Sequence, residues 1–109
     1  MGSASRRERH IPERLAEKLL RIRAELGLSQ SEMLRRLGSP EKLQQSSISG
    51  YERGVREPPL LIVLEYARAA NVYVDVLLDD GLDLPAQIPS PLKHEGVGRT
   101  RGTRRKQKR

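Results

Sequence analysis

The segment from Gln44 to Pro58 holds the side chains of this chain that are best suited to molecular recognition. It reads QQSSISGYERGVREP, with small polar residues around one isoleucine and a glycine after a charged pair. If the segment is helical, its amide and hydroxyl groups line an outer face that can hydrogen-bond to base edges in the major groove of DNA. An ordinary solvated helix presents a similar face, so the flanking residues must decide between the two interpretations.

The sequence contains few side chains that could act in catalysis or bind a metal ion. Cysteine is absent, so the chain can form neither a disulfide nor a thiolate metal site. The two histidines, His10 and His94, lie far apart in presumed tails, which argues against a transition-metal site. Asp79, Asp80 and Asp83 are interpreted as a solvated helix end rather than as a cation site. We therefore predict no enzyme activity, no catalytic residue, no metal and no cofactor.

The formal net charge of +7 is concentrated at the two ends of the chain. Three arginines and one glutamate give residues 1–10 a charge of +2, whereas eight Lys or Arg and one glutamate give residues 93–109 a charge of +7. Residues 11–92, with ten basic and twelve acidic side chains, carry −2. Basic ends attract nucleic acid without reading its sequence. The tail Arg99–Arg109 is predicted either to follow DNA phosphates or the minor groove, or to serve solubility or a protein partner.

Apolar spacing and capping residues predict several short helices. The first begins at Pro12 and ends at Gly27, and its apolar stripe consists of Leu15, Leu19, Ile22 and Leu26. The second begins at Ser29, which forms a capping box with Glu32. Both helices have one apolar face, so each must pack against other parts of the chain.

Three further helices follow. The third is expected to end at Gly54 and to start either near Pro40 or after a short turn that follows it. The fourth covers residues 60–70, is apolar nearly all round and should be central and buried, with Asn71 as its left-handed final residue. The fifth, over residues 74–78, is short. The predicted core residues are Leu19, Ile22, Leu26, Met33, Leu37, Ile48, Leu61, Leu64, Ala67 and Leu77.

This pattern predicts an all-α fold with three regions. Residues 1–11 form a disordered basic arm, residues 12–82 form the folded domain, and residues 83–109 form a disordered tail that is first proline-containing and then basic. No strand is strongly signalled. The folded part is small for a stable domain, so we expect dimerisation to offset its marginal stability.

The order of these motifs resembles the phage-repressor and Cro type of helix-turn-helix, also called XRE-like. The resemblance covers residues 15–78, and it is carried by LRIR at 20–23, GLSQSEML at 27–34, LG at 37–38, ISGYERGVREP at 48–58 and LEYARAANV at 64–72. It implies a compact bundle of five short helices of the lambda-repressor-like type, whose third helix enters the major groove. The chain departs from the family pattern in a longer segment between Gly38 and Ile48, in Leu34 where alanine is usual, and in Tyr73 where a Ser or Thr cap is usual.

The resemblance also implies which residues touch the bases. These are Gln45, Ser46, Ser49 and Gly50. Because the turn is longer than usual, Gln44 could contact the bases instead of Gln45. Glutamine can pair bidentately with adenine, and serine can donate or accept at most bases. Gly50 would leave room for close backbone approach or for a thymine methyl group.

A second set of residues is implied to touch phosphates or to support the helices. The implied phosphate contacts are Gln30, Ser47, Arg53 and Arg56. Arg23 and Glu52 are implied to form a largely buried ion pair between the first and third helices. The alternatives are a plain polar residue at the start of the second helix for Gln30, and two solvated arginines that flank Gly54 at the end of the third helix for Arg53 and Arg56.

The predicted function is sequence-specific binding of double-stranded DNA by a transcriptional regulator, most simply a repressor. One such domain reads only a few base pairs, so a homodimer on a two-fold operator is expected, with half-sites about 34 Å apart. One alternative is an antitoxin that binds a toxin and represses its own promoter. Another is a protein-interaction module that no longer reads DNA. No apolar run is long enough to span a membrane, and we predict a cytoplasmic, nucleoid-associated protein.

Overall fold

The computed structural model describes residues 11–38 and 45–98, and within them the fold is mostly helical. The helices are α1 (Leu15–Leu26), α2 (Gln30–Leu37), α3 (Gln45–Arg53), α4 (Leu60–Ala70) and α5 (Asp75–Leu78). Two short strands, β1 (Leu82–Asp83) and β2 (Val97–Gly98), pair antiparallel. The all-α prediction is therefore corrected to a helical bundle with a small sheet. No helix in the described ranges is long and apolar enough to cross a membrane.

Several predicted helix ends are confirmed by the backbone. Gly27 ends α1 in the left-handed conformation at φ 73°, and Asn71 does the same for α4 at φ 60°. The capping box is present, with Glu32 N donating to Ser29 Oγ at 3.0 Å and Ser29 N donating to Glu32 Oε1 at 2.7 Å. The bond from the Ser29 backbone lowers the pKa of Glu32, because it favours the charged carboxylate.

The start of α1 differs from the prediction, because the helix begins three residues after Pro12. A carboxylate from the far end of the domain caps it: Asp80 accepts the N–H groups of Glu13 at 2.9 Å and Arg14 at 3.0 Å. The guanidinium of Arg14 in turn pairs with Asp83 at 2.7 Å. The acidic cluster interpreted as a solvated helix end therefore holds the first helix against the end of the fold.

The core lies between the helices and includes most of the predicted residues. The buried ones among these are Leu19, Ile22, Met33, Leu37, Ile48, Ala67 and Leu77. The prediction that α4 is buried all round is wrong, because Leu60 is 68% exposed and Leu61 is 71% exposed. The buried stripe of α4 instead runs along its other side, through Ile62, Val63, Tyr66, Ala67 and Ala70.

A buried lysine links α1 to the end of α5. The side chain of Lys18 is 1% exposed, and its Nζ donates to Val76 O at 2.7 Å and to Asp79 O at 3.0 Å. These carbonyls lie in and just after the last turn of α5, where helical carbonyls lack partners of their own. Burial lowers the pKa of Lys18, because it disfavours the ammonium form.

The segment that follows β1 packs onto the helices. Leu84 and Ile88 are buried in the core, and Ser90 N donates to Ala70 O at 2.9 Å. Asn71 Nδ2 also donates to Ser90 O at 2.7 Å. Residues 83–98, which the sequence analysis assigned to a disordered tail, thus add apolar side chains to the core. The predictions for residues 1–10, for the turn at 39–44 and for residues 99–109 lie outside the described residues.

Candidate nucleic-acid interface

The helix α3 lies against both α1 and α2, and its inner side is part of the core. Ile48 is fully buried and Tyr51 is 4% exposed. Tyr51 is therefore a packing residue rather than a free stacking platform. Within the described residues the helix starts at Gln45; the predicted start near Pro40 lies outside the described residues.

An ion pair ties α3 to α1. Arg23 Nε donates to Glu52 Oε2 at 2.6 Å, and Arg23 Nη2 donates to Glu52 Oε1 at 3.0 Å. The Glu52 side chain is 5% exposed and that of Arg23 is 18% exposed. Arg23 Nη1 also donates to Leu28 O at 2.9 Å, so the guanidinium additionally holds the link between α1 and α2. Such two-point geometry sets both the distance and the orientation of the two helices.

Gln30 connects the same carboxylate to α2. It is the first residue of α2, and its Nε2 donates to Glu52 Oε1 at 3.2 Å. An amide nitrogen has two donors, so one N–H can meet Glu52 while the other points elsewhere. The start of an eight-residue helix also favours anions through its unpaired N–H groups and its dipole. The geometry is compatible with a phosphate oxygen at this position.

The outer side of α3 is polar and open. Ser46 and Arg53 are exposed and Ser49 is half-buried, and these positions share one face of the helix. Arg53 Nε donates to Ser49 Oγ at 3.1 Å, one turn back. Gln45 is the first residue of the helix, and Gln44 lies outside the described residues.

Two of the predicted contact residues do not lie on this open face. Ser47 is 6% exposed, and Gly50 is buried. The exposed side chain of Arg56 lies over Gly50, and its Nη1 is 3.4 Å from Ser47 Oγ. The structure thus brings Ser47, Gly50 and Arg56 together at the edge of the outer face.

Sequence reasoning missed this group, although one signal for it was present. Gly54 ends α3 at φ 76°, and Val55 N donates to Gly50 O at 3.0 Å while Gly54 N donates to Tyr51 O at 3.2 Å. This is the hydrogen-bond pattern of a Schellman motif, which turns the chain back over the last turn of its own helix. The glycine after Arg53 therefore predicts that the next residues return toward Gly50.

No group of three or more potential metal-ligating side chains occurs in residues 11–38 and 45–98. The described side chains of the interface supply hydroxyl, amide and guanidinium groups, which donate and accept hydrogen bonds. These groups lie on the two consecutive helices α2 and α3, and α3 exposes its polar side. That arrangement defines a helix-turn-helix protein.

The comparison with protein families supports this class. The helix-turn-helix family model matches residues 18–77, which is more than half of the chain and runs from α1 into α5. No curated protein and no solved structure matches the chain. The chain belongs to the XRE-type helix-turn-helix family, whose members are DNA-binding transcription regulators.

Proposed function

We propose that this protein is a sequence-specific regulator that inserts α3 into the major groove of double-stranded DNA and acts as a repressor. The observation that carries the proposal is the contrast within α3. Its inner carboxylate, Glu52, is bonded to both neighbouring helices, while its outer hydroxyl and guanidinium groups face solvent. A helix fixed from behind can present its polar groups at a constant depth and angle to base edges.

The proposed base contacts are Gln45, Ser46 and Ser49, with Gln44 as the alternative glutamine. Ser46 supports this assignment best, because it is exposed and lies in the first turn of α3, the part of a recognition helix that meets the bases. Arg53 lies at the other end of the same face, where a long cationic side chain suits a backbone phosphate.

The proposed phosphate contact on α2 is Gln30. Its amide already bonds Glu52, so a phosphate bound by the second N–H would touch the same group that holds α3. The Gln30 side chain would then both bind the DNA backbone and help to position α3. Repression would follow from occupancy of a promoter by a homodimer, whose half-sites lie about 34 Å apart.

We also propose that the basic tail strengthens binding without reading sequence. Residues 99–109 contain seven Lys or Arg and no acidic residue. The last described residue, Gly98, pairs with Leu82, and Leu82 O accepts a bond of 3.1 Å from Arg14 just before α1. The tail therefore starts from an ordered part of the fold, and its positive charge adds to the affinity of the domain by counterion release.

The test is selection of binding duplexes from a random pool at near-physiological salt, with the full chain and with residues 1–98. A two-fold motif recovered by both proteins is the expected result, with weaker binding by the shorter chain. Enrichment without a motif, lost together with the tail, would contradict sequence reading. Residues 93–98 are kept in the shorter chain because β2 belongs to the fold.

A second candidate function is that of an antitoxin, which binds a toxin protein and represses its own promoter. The exposed side chains of Leu60 and Leu61 favour it, since exposed apolar groups are suited to a protein partner. The test is to look for a small reading frame beside the gene and, where there is one, to express it alone and together with this protein. Growth arrest that this protein relieves would support the antitoxin, and normal growth in both cases would exclude that pairing.

A further inference from the structure

The side chain of Arg56 occupies the space that a side chain at Gly50 would take. A Cβ atom added to Gly50 would lie 3.1 Å from Arg56 Cβ, 3.6 Å from its Cδ and 3.7 Å from its Nε. The first of these distances is shorter than an ordinary van der Waals contact between carbons. Arg56 nevertheless stays exposed on its outer side, so it covers the helix without being removed from solvent.

Both ends of Arg56 are held to α3. At the backbone end, the N–H groups of Val55 and Arg56 both donate to Gly50 O, at 3.0 Å and 3.2 Å. At the guanidinium end, Nη1 approaches Ser47 Oγ at 3.4 Å. The side chain therefore runs back along the last turns of the helix. Its Cβ cannot move away from Gly50 without disturbing the backbone bonds.

We infer that Gly50 and Ser47 are positioning residues for Arg56, which forms a preset clamp for a DNA phosphate beside the reading face of α3. They act on DNA through Arg56 and make no base or phosphate contact of their own. This inference rests on the proposed function. These positioning roles differ from the direct DNA contacts that the family resemblance implies for Gly50 and Ser47.

The location of Arg56 favours a phosphate over a base. Gly50 and Ser47 border the outer face that is centred on Ser46 and Arg53, so the guanidinium lies at the margin of the part that would enter the groove. The sugar–phosphate backbone borders the major groove, and a planar guanidinium fits phosphate oxygens well. An arginine already laid along the helix loses less conformational freedom on binding than a free one.

The central test is Gly50→Ala, measured by equilibrium binding to the selected duplex and to an unrelated duplex over a range of salt concentrations. Alanine is a better helix former than glycine, whereas room for its methyl group is made only by straining the backbone bonds of Arg56, so the two effects on stability oppose each other and binding is measured well below the melting temperature of the variant. The added methyl group should displace Arg56. We expect binding about threefold to tenfold weaker on both duplexes, and a salt slope smaller by about one.

Double variants show whether Gly50 acts through Arg56. In an Arg56→Ala background, which itself should lose one unit of salt slope, Gly50→Ala should cause no further loss of affinity. In an Arg53→Ala background, Gly50→Ala should keep its full effect, because Arg53 is bonded to Ser49 and not to this group. Arg56→Gln keeps the Cβ atom that lies nearest to Gly50 but removes the charge, and should also reduce the slope.

Three results would overturn the inference while leaving the proposed function intact. They are a Gly50→Ala variant with unchanged affinity and slope, an equal loss in the presence and absence of Arg56, and an Arg56→Gln variant with the wild-type slope. Failure of the proposed function is distinguishable, because the wild-type protein would then recover no motif in the duplex selection.

Discussion

The inner side of α3 contacts the rest of the fold through buried side chains and charged hydrogen bonds. The hydrogen bond on its outer side is instead formed within the helix itself. Ile48 is buried, and Glu52 accepts bonds from Arg23 and Gln30. Outside, Arg53 bonds Ser49 one turn back along the same helix. The difference means that the position of the helix does not depend on the residues that are proposed to read DNA. Those residues can vary with little effect on stability.

The largest predicted effect is on the inner side. Glu52→Ala should lower the free energy of unfolding by about 3–5 kcal/mol, because it leaves the Arg23 guanidinium largely buried without its partner. Urea unfolding measures this loss. Replacing both Arg23 and Glu52 by Met should recover part of it, since the unpaired charge is gone. An unchanged unfolding midpoint for Glu52→Ala would contradict the view that the inner side of α3 holds the helix in place.

A smaller effect is predicted for a buried polar group that does not touch α3. Lys18→Met should cost about 1–3 kcal/mol, because the carbonyls of Val76 and Asp79 lose their donor. At temperatures well below the melting point, the selected DNA motif should be the same as for the wild type. A changed motif would show that the placement of α3 depends on the far end of the bundle, and not mainly on Glu52.

A variant of Tyr66 tests whether a buried polar group without a hydrogen-bond partner contributes to the free energy of unfolding. Among the residues that the structure describes, its hydroxyl has no hydrogen-bond partner. Tyr66→Phe should therefore be neutral or stabilising by up to about 1 kcal/mol in urea unfolding at neutral pH. A loss above about 1 kcal/mol would show that the hydroxyl makes a stabilising bond.

The same variant has a predicted pH signature. Burial raises the pKa of Tyr66 well above its ordinary value of 10. The folded state then keeps a proton that the unfolded state loses, so the free energy of unfolding of the wild type falls as the pH rises above 10. Tyr66→Phe should fall less steeply over that range, and equal slopes for the two proteins would contradict the burial of an ionisable hydroxyl.

The smallest effects on stability are predicted for the outer side. Ser46→Ala and Ser49→Ala should each change the free energy of unfolding by no more than about 0.5 kcal/mol, since Ser46 is exposed and half-buried Ser49 accepts its bond from exposed Arg53 of the same helix. Each should nevertheless weaken binding to the selected duplex more than to an unrelated one. A clear loss of stability for Ser46→Ala would show that the two sides of α3 are not independent.

Local signals predicted most of the helical architecture. The capping box of Ser29 and Glu32 and the left-handed residues Gly27 and Asn71 involve neighbours in sequence, so they could be recognised without tertiary information. The start of α1 could not, because the group that caps it, Asp80, comes from the other end of the domain. Leu61 was misplaced because an apolar run does not show which of its sides meets the core.

The same distinction applies to the candidate interface. Residue types and their order along the chain indicated which helix presents polar groups, because hydroxyl, amide and guanidinium chemistry is a property of the side chains themselves. The sequence by itself thus determined the family, the helical segments with their caps, and the set of residues available for recognition.

Only the tertiary structure decided that Arg56 covers Gly50, that Ser47 is buried, and that residues 83–98 complete the core. Those facts depend on where a side chain or segment comes to rest against others, and the spacing of residues along a chain does not specify that.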